Sequence, residues 1–141
     1  MTLYAESSAV LRWLFGEKGA DAIGDALRAA GKVVCSRLTL IEIRRVIRRA
    51  AVQGEIAEAH SEDLFALVAR LGATWSVLEL SAEVAARAEE AFPAEPVRTL
   101  DAIHLASGLV LRQSLPDLRF LSTDERVVRN ARRLGFEVVP G

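Results

Sequence analysis

Several residue types that often define a function are scarce or absent in this sequence. The single cysteine, Cys35, excludes an internal disulfide and a cysteine-rich zinc site. No apolar run reaches the roughly 20 residues that span a bilayer, and the N-terminus lacks the basic start and cleavage site of a signal peptide. The glycines match neither GxGxxG nor GxxxxGK[ST], and no Ser-His-Asp or Cys-His set is evident. We therefore expect a cytoplasmic protein that does not contact the membrane and lies outside these nucleotide-binding and nucleophilic classes.

Lysine is also scarce, since two of the 18 basic side chains are lysines and the rest are arginines. A net charge of -1 excludes a polycation, but a local basic stripe could still contact nucleic acid phosphates. Either of two arginine groups could be such a stripe or a solvated helix face, and the first could also be a protein contact. The groups are Arg44, Arg45, Arg48 and Arg49, and Arg126, Arg129, Arg132 and Arg133.

Short apolar segments alternate with amphipathic helical segments along all 141 residues, of which 51% are hydrophobic. This alternation is typical of a parallel sheet covered by helices on both faces, and the length suits one domain, residues 1–141. We expect an α/β fold with three layers, α/β/α, around a central, mainly parallel sheet of four to five strands. Predicted strands are 3–5, 33–35, 77–80, 120–121 and 136–139. Predicted helices are 7–15, 19–30, one between Ser36 and Gly54, 55–71, 81–91, 99–113 (capped by Thr99) and 124–134.

Acidic residues lie near one predicted edge of this sheet. Glu6 follows the first strand, Glu42 lies on the helix after the second, and Asp124 follows the fourth. Asp101 lies in the first turn of the helix that begins at Thr99. Ligands of open α/β sheets bind outside the carboxyl ends of the strands, so we expect the four carboxylates to meet there.

Clustered carboxylates favour a hard cation, because their mutual repulsion is relieved when an ion neutralises them. Oxygen ligands suit Mg²⁺ or Mn²⁺ rather than zinc. Each acid also has a structural alternative. Asp101, Asp124 and Glu6 could be helix-start residues, and Glu42 could pair with Arg45 or Arg49. His104 lies one turn from Asp101, and we expect a partly buried, structural histidine within hydrogen-bonding reach of that acid.

Four segments of the sequence resemble the successive motifs of PIN domains, and in particular the toxin ribonucleases of VapC type. They are LYAESSA, SRLTLIE, RTLDAIHLA and LSTD, at residues 3–9, 36–42, 98–106 and 121–124. The resemblance covers essentially the whole chain, and the third motif is the most distinctive. It implies a PIN-like fold and an endoribonuclease that cleaves RNA with a water activated by Mg²⁺ or Mn²⁺. It also implies a VapB-like antitoxin that blocks the site, and a toxin homodimer.

The resemblance also implies roles for individual residues. Glu6, Glu42, Asp101 and Asp124 match the four catalytic acids, and the first, third and fourth of them match the metal ligands. Ser8 and Thr123 match hydroxyl residues that support the site. The chain departs from the family where Glu6 replaces the usual Asp, and the extra methylene is expected to shift or weaken metal binding. The alternative function is a catalytically weak module that binds RNA or protein.

Overall fold

Five strands form a single sheet in the computed structural model, which describes residues 1–141. The strands are β1 (Thr2–Ala5), β2 (Lys32–Ser36), β3 (Ser76–Leu78), β4 (Leu118–Leu121) and β5 (Val138–Val139). Their order is β3-β2-β1-β4-β5, and every neighbouring pair is parallel. The predicted parallel sheet is therefore confirmed.

Seven helices cover the two faces of the sheet. They are α1 (Ser7–Leu14), α2 (Ala20–Ala29), α3 (Arg37–Val52), α4 (Glu58–Thr74), α5 (Ala82–Ala88), α6 (Thr99–Arg112) and α7 (Glu125–Arg133). Alternate residues of β1 serve different faces, because Leu3 and Ala5 pack in the core beneath α1–α4 while Tyr4 packs beneath α6 and α7. The predicted three-layer arrangement is confirmed.

The ends of some elements differ from the prediction, for local reasons. Thr99 was expected to cap α6, but it is the first helical residue, and Arg98 occupies the cap position without a side-chain hydrogen bond. The helix α4 begins at Glu58 rather than residue 55, because the chain turns at Gly54, whose φ is 73°, and the residues directly after it belong to that turn. The strand β4 begins two residues early because Leu118 and Phe120 are both buried on one face.

The close approach of α6 to the sheet depends on Gly108. A Cβ atom at this position would lie 2.7 Å from Cε2 of Phe120, which is too close for any real side chain. The ring of Phe120 in turn stacks on Tyr4, with 4.7 Å between ring centroids. Gly108 thus lets α6, which carries Asp101 and His104, lie directly on β4 and β1.

Several single residues illustrate the packing of the fold. Trp13 and Trp75 pack against the apolar core beneath α1–α4, and His60 is exposed. Cys35 is fully buried there, and burial raises the pKa of its thiol to about 12. None of the helices is long and apolar enough to cross a bilayer.

Candidate active site

All four predicted acids line one cleft of about 430 Å³ at the carboxyl ends of the strands. Glu6 directly follows β1, and Asp124 lies three residues beyond β4. Glu42 projects from the second turn of α3, and Asp101 from the first turn of α6. Since β1 and β4 are parallel neighbours, their ends bring Glu6 and Asp124 to the same edge.

Glu6 is held by three hydrogen bonds and is only 4% exposed. Its Oε2 accepts from the backbone N–H of Ser8 at 2.7 Å, which makes Glu6 the N-cap of α1. Its Oε1 accepts from the hydroxyls of Ser8 at 2.6 Å and Ser122 at 2.5 Å. These short, charge-assisted bonds fix the longer side chain in one position.

Glu42 is held from two sides. Its Oε1 accepts from Ser7 Oγ at 2.7 Å and contacts Nε2 of His104 at 2.6 Å. Burial raises the pKa of Glu42, but the hydrogen bonds from His104 and Ser7, together with the positive charge of His104 when its ring is protonated, outweigh it, so the pKa is lowered. The suggested ion pair with Arg45 or Arg49 is wrong, because neither arginine forms a salt bridge with Glu42.

His104 connects Glu42 to the core of the protein. Its Nδ1 lies 2.7 Å from the hydroxyl of Tyr4, and its side chain is almost fully buried. If Tyr4 donates to Nδ1, the neutral ring carries its proton on Nε2 and donates it to Glu42. The prediction that His104 would be only partly buried and within hydrogen-bonding reach of Asp101 is therefore corrected. The contacts of its ring are with Tyr4, Ser7 and Glu42.

Asp101 differs from both glutamates because no donor satisfies it. Its Oδ2 is buried without a hydrogen-bond partner, and the nearest positive group is Nε of Arg98 at 3.6 Å. Burial first, and the negative charge of Asp124 second, raise the pKa of Asp101. A buried, unsatisfied carboxylate oxygen that faces another acid is the arrangement that a cation would relieve.

Asp124 caps α7 through one of its two oxygens. Its Oδ1 accepts from the backbone N–H groups of Arg126 and Val127 at 2.9 and 3.1 Å. The backbone N–H of the neighbouring Thr123 donates to the hydroxyl of Ser8 at 3.0 Å. The structure thus places Ser8 and Thr123 beside the acids, and the capping alternative for Asp124 is real as well.

Sequence reasoning missed three further residues that organise the cleft, although each lies in one of the four motifs. Ser7 holds Glu42, Tyr4 holds His104, and Ser122 lies between Glu6 and the backbone N–H of Asp124, which donates to its hydroxyl at 3.2 Å. The clue available for Ser7 and Ser122 was the position of a small hydroxyl residue at the end of a parallel strand. Tyr4 lies on a buried strand and offered no such clue.

The donor set fits a hard divalent cation held mainly through water. No three or more acidic, histidine or cysteine side chains are arranged to hold an ion directly. Mg²⁺ nevertheless needs only one or two protein carboxylates, since it keeps several of its waters. The unsatisfied oxygen of Asp101 beside Asp124 meets that need, and a site of carboxylates alone disfavours zinc.

The parallel fold and its acidic cleft define a class of α/β proteins whose strand ends present carboxylates suited to a divalent cation. Within that class the chain belongs to a known family, because the model of the PIN domain matches residues 3–133. The resemblance seen in the four motifs is thereby confirmed.

Relatives of known name support this assignment. The chain is 31% identical to Ribonuclease VapC35 of Mycobacterium tuberculosis over 142 aligned positions, which cover 99% of this chain and 97% of the relative. It is 30% identical to Ribonuclease VapC45 of the same organism over 141 positions, covering 98% and 94% of the two chains. The chain is thus similar to VapC ribonucleases over nearly its whole length.

Solved structures share the fold at lower sequence identity. VapC20 of Mycobacterium tuberculosis, described as a sarcin-ricin loop cleaving toxin, has a TM-score of 0.68 at 16% identity and covers 95% of both chains. A chain of a toxin-antitoxin complex from Klebsiella pneumoniae has a TM-score of 0.66 at 15% identity, covering 99% of this chain and 96% of that one. At such identities the likeness establishes the fold.

Proposed function

We propose that this protein is a metal-dependent endoribonuclease, the toxin of a type II toxin-antitoxin system. The observation that carries the proposal is the buried, unsatisfied Oδ2 of Asp101 in a cleft lined by four carboxylates. The VapC ribonucleases to which the chain is similar support RNA as the substrate. Residues 1–141 would act as one PIN-like domain, in the cytoplasm where its substrate lies.

In this proposal Asp101 and Asp124 would hold Mg²⁺ or Mn²⁺ directly, and Glu6, the third ligand that the resemblance implies, would act on the ion through its charge. Such an ion supplies charge neutralisation at the phosphate and a water of lowered pKa. Asp101 and Asp124 offer oxygens that accept no hydrogen bond, whereas both oxygens of Glu6 already accept one or more. Glu6 therefore orients Ser8 and Ser122 and contributes negative charge from the floor of the cleft.

Glu42 is the proposed proton acceptor. Its lowered pKa keeps it ionised at neutral pH, and His104 and Ser7 both bind the same oxygen, Oε1. This leaves Oε2 free to orient the attacking water and to take its proton as the new phosphorus–oxygen bond forms. The bond from phosphorus to the bridging ribose oxygen breaks in the same displacement, and the departing oxygen takes a proton from solvent. Tyr4 and His104 are positioning residues in this scheme, since they act on the substrate only through Glu42.

Two partners belong to the same proposal. The solved neighbours include a toxin-antitoxin complex and VapBC assemblies, which supports a VapB-like antitoxin for this chain. An antitoxin that covered the acidic cleft would block access to Asp101 and Asp124. A homodimer of the toxin is proposed on the resemblance to VapC proteins.

The deciding experiment uses purified protein, free of any antitoxin, and defined RNAs with Mg²⁺, Mn²⁺ or EDTA. We expect cleavage with either metal, none with EDTA, and a loss of about 10³-fold in Asp101→Asn, within the usual range for a positioned acid or base. Asp117→Asn is a matched control, because it removes one carboxylate from an exposed position outside the cleft. Equal cleavage by Asp101→Asn and wild type would refute the four-acid site.

A second candidate function is a catalytically weak module that binds RNA or protein. It is favoured by one observation, the replacement of the usual family Asp by Glu6, whose oxygens are occupied by internal hydrogen bonds. Metal titration of wild type against Glu6→Asp separates the two. A wild type that binds no Mn²⁺ at millimolar concentration, beside a Glu6→Asp variant that does, would favour the weak module.

A further inference from the structure

A second cleft, of about 330 Å³, adjoins the acidic one, and three of its eight lining residues are arginines. We call it the arginine cleft and define it by the residues that line it: Ala94, Glu95, Pro96, Val97, Arg98, Arg126, Arg129 and Asn130. The loop before α6 forms one wall, and α7 forms the other.

The positive charge of the arginine cleft is largely uncompensated. Arg126 and Arg129 are exposed and form no salt bridge, while Arg98 has one carboxylate neighbour, Asp101 at 3.6 Å. The only acid in the lining, Glu95, accepts hydrogen bonds from the backbone N–H groups of its own loop at 2.7 and 2.8 Å. Three guanidinium groups are therefore available to an anion.

The two walls are fastened to each other by Asn130, which is 2% exposed. Its Oδ1 accepts from the N–H of Ala94 at 2.8 Å, and its Nδ2 donates to the carbonyl of Ala94 at 3.1 Å. Both backbone groups of one loop residue are thus bound to α7. The arginine cleft is therefore part of the fold itself, and its arginines extend from two walls that hydrogen bonds hold together.

The arginine cleft continues directly into the acidic cleft. Arg98 lines both, and the N–H of Arg126 donates to the carboxylate of Asp124. A polyanion that placed one phosphate beside the acids would therefore carry its neighbouring phosphates past the guanidinium groups.

An acidic active site needs such a neighbour, because four carboxylates repel a nucleic acid and the chain as a whole carries a charge of -1. The arginines of α3 are less suited to this role. None of them lines the acidic cleft, and Arg48 packs over the ring of Phe65 at 4.9 Å. We propose that the arginine cleft binds the phosphodiester backbone of single-stranded RNA next to the cleaved bond. This inference rests on the proposed function.

The test measures binding of a fluorescein-labelled 12-nucleotide oligouridylate in EDTA, by fluorescence anisotropy over a range of salt concentrations. Each phosphate contact to a single strand contributes about -0.7 to the slope of log K against log salt. The double variant Arg126→Ala/Arg129→Ala should therefore make the slope less negative by about 1.4 and lower the affinity at 0.1 M salt by about 25-fold. The alanine at 126 retains the N–H that Asp124 accepts, so the cap of α7 is preserved.

The matched control is Arg45→Ala/Arg49→Ala, which removes the same two charges from exposed, unpaired positions on α3. We expect it to bind like wild type. Unchanged binding in the α7 variant, or equal losses in both variants, would overturn the proposal. Equal or tighter binding of a labelled 12-residue oligoglutamate by wild type would assign the cleft to an acidic protein segment and would also overturn it. Because binding is measured without metal, a failure here is distinguishable from a failure to cleave RNA.

Discussion

The two glutamates and the two aspartates of the acidic cleft are supported in opposite ways. The N-terminal half of the chain supplies Glu6 and Glu42, whose carboxylates accept short hydrogen bonds from side chains around them. The C-terminal half supplies Asp101 and Asp124, which keep oxygens without such partners. The carboxylates of the two glutamates are thus satisfied by hydrogen bonds within the protein, while the two aspartates keep oxygens that a cation could bind.

This difference separates structural work from ligand binding within a single set of acids. A satisfied carboxylate stabilises the fold but has little left to offer an ion, whereas an unsatisfied one costs stability and gains it back on binding. Removing a glutamate should therefore cost stability, whereas removing the charge of Asp101 should increase it, and the following predictions begin with the largest expected effect.

Glu6→Ala should lower the free energy of unfolding by about 3 kcal/mol, because it leaves two hydroxyls and a backbone N–H near the core without their acceptor. Denaturation in urea measures the loss. Glu17→Ala is the control, since Glu17 is exposed and forms no salt bridge. A loss below about 0.5 kcal/mol, the usual size for surface substitutions, would show that Glu6 is not a structural member of the pair.

Tyr4→Phe removes only the hydroxyl that holds Nδ1 of His104 and leaves the packing against Phe120 in place. We expect a stability loss of about 1 kcal/mol. Loss of a residue that orients a functional group typically costs about 10–100-fold in activity, so kcat for RNA should fall at least tenfold with KM little changed. A change confined to KM would contradict the positioning of Glu42 through His104.

Asp101→Asn should stabilise the metal-free protein by about 1 kcal/mol at pH 7. The folded state raises the pKa of Asp101. The stability cost of this residue is therefore absent below the unfolded pKa of about 3.9 and grows as pH rises through the folded value.

The stability contribution of Glu42 depends on pH in the opposite way. Its lowered pKa stabilises the fold above about pH 4.3, and this stabilisation is lost as pH falls through the folded value. Thermal melts of Asp101→Asn and Glu42→Gln from pH 3 to 7 check both trends. If the melting temperatures of the two variants changed with pH in the same way, the proposed difference between the glutamate and aspartate pairs would be wrong.

Asp124→Asn should change stability least, because asparagine caps a helix about as well as aspartate. Asp124→Ala removes the cap and should cost about 1 kcal/mol. If Mn²⁺ binds as proposed, it should raise the melting temperature of wild type in differential scanning calorimetry, and both variants should lose that rise. An unchanged Mn²⁺ response in Asp124→Asn would restrict Asp124 to a capping role.

The edge of the sheet could be predicted from the sequence, whereas the partners of each acid could not. Glu6 and Asp124 follow buried strands, and parallel strands bring their ends together, so the local pattern was sufficient to place them. The contact between Glu42 and His104 joins residues 62 positions apart and depends on how α3 and α6 pack against each other. For that reason local spacing offered only an arginine of its own helix as the structural alternative for Glu42.

Burial of single atoms was also out of reach. Asp101 looked like an ordinary first-turn acid, and nothing local distinguishes one whose outer oxygen is shielded from one that faces water. The position of Ser122 between two acids likewise requires β1 and β4 to be neighbours, which a list of elements does not specify.

The contact between Gly108 and Phe120 links the position of Asp101 to the packing of the core. Two helical turns separate this contact from Asp101, yet it sets how deeply α6 sits and hence where that carboxylate lies relative to β4. A substitution that changed the thickness of the contact would alter the spacing of the acids while leaving all four in place. The metal preference and the rate of such an enzyme could therefore change through substitutions in its core, without any change in the residues that line the cleft.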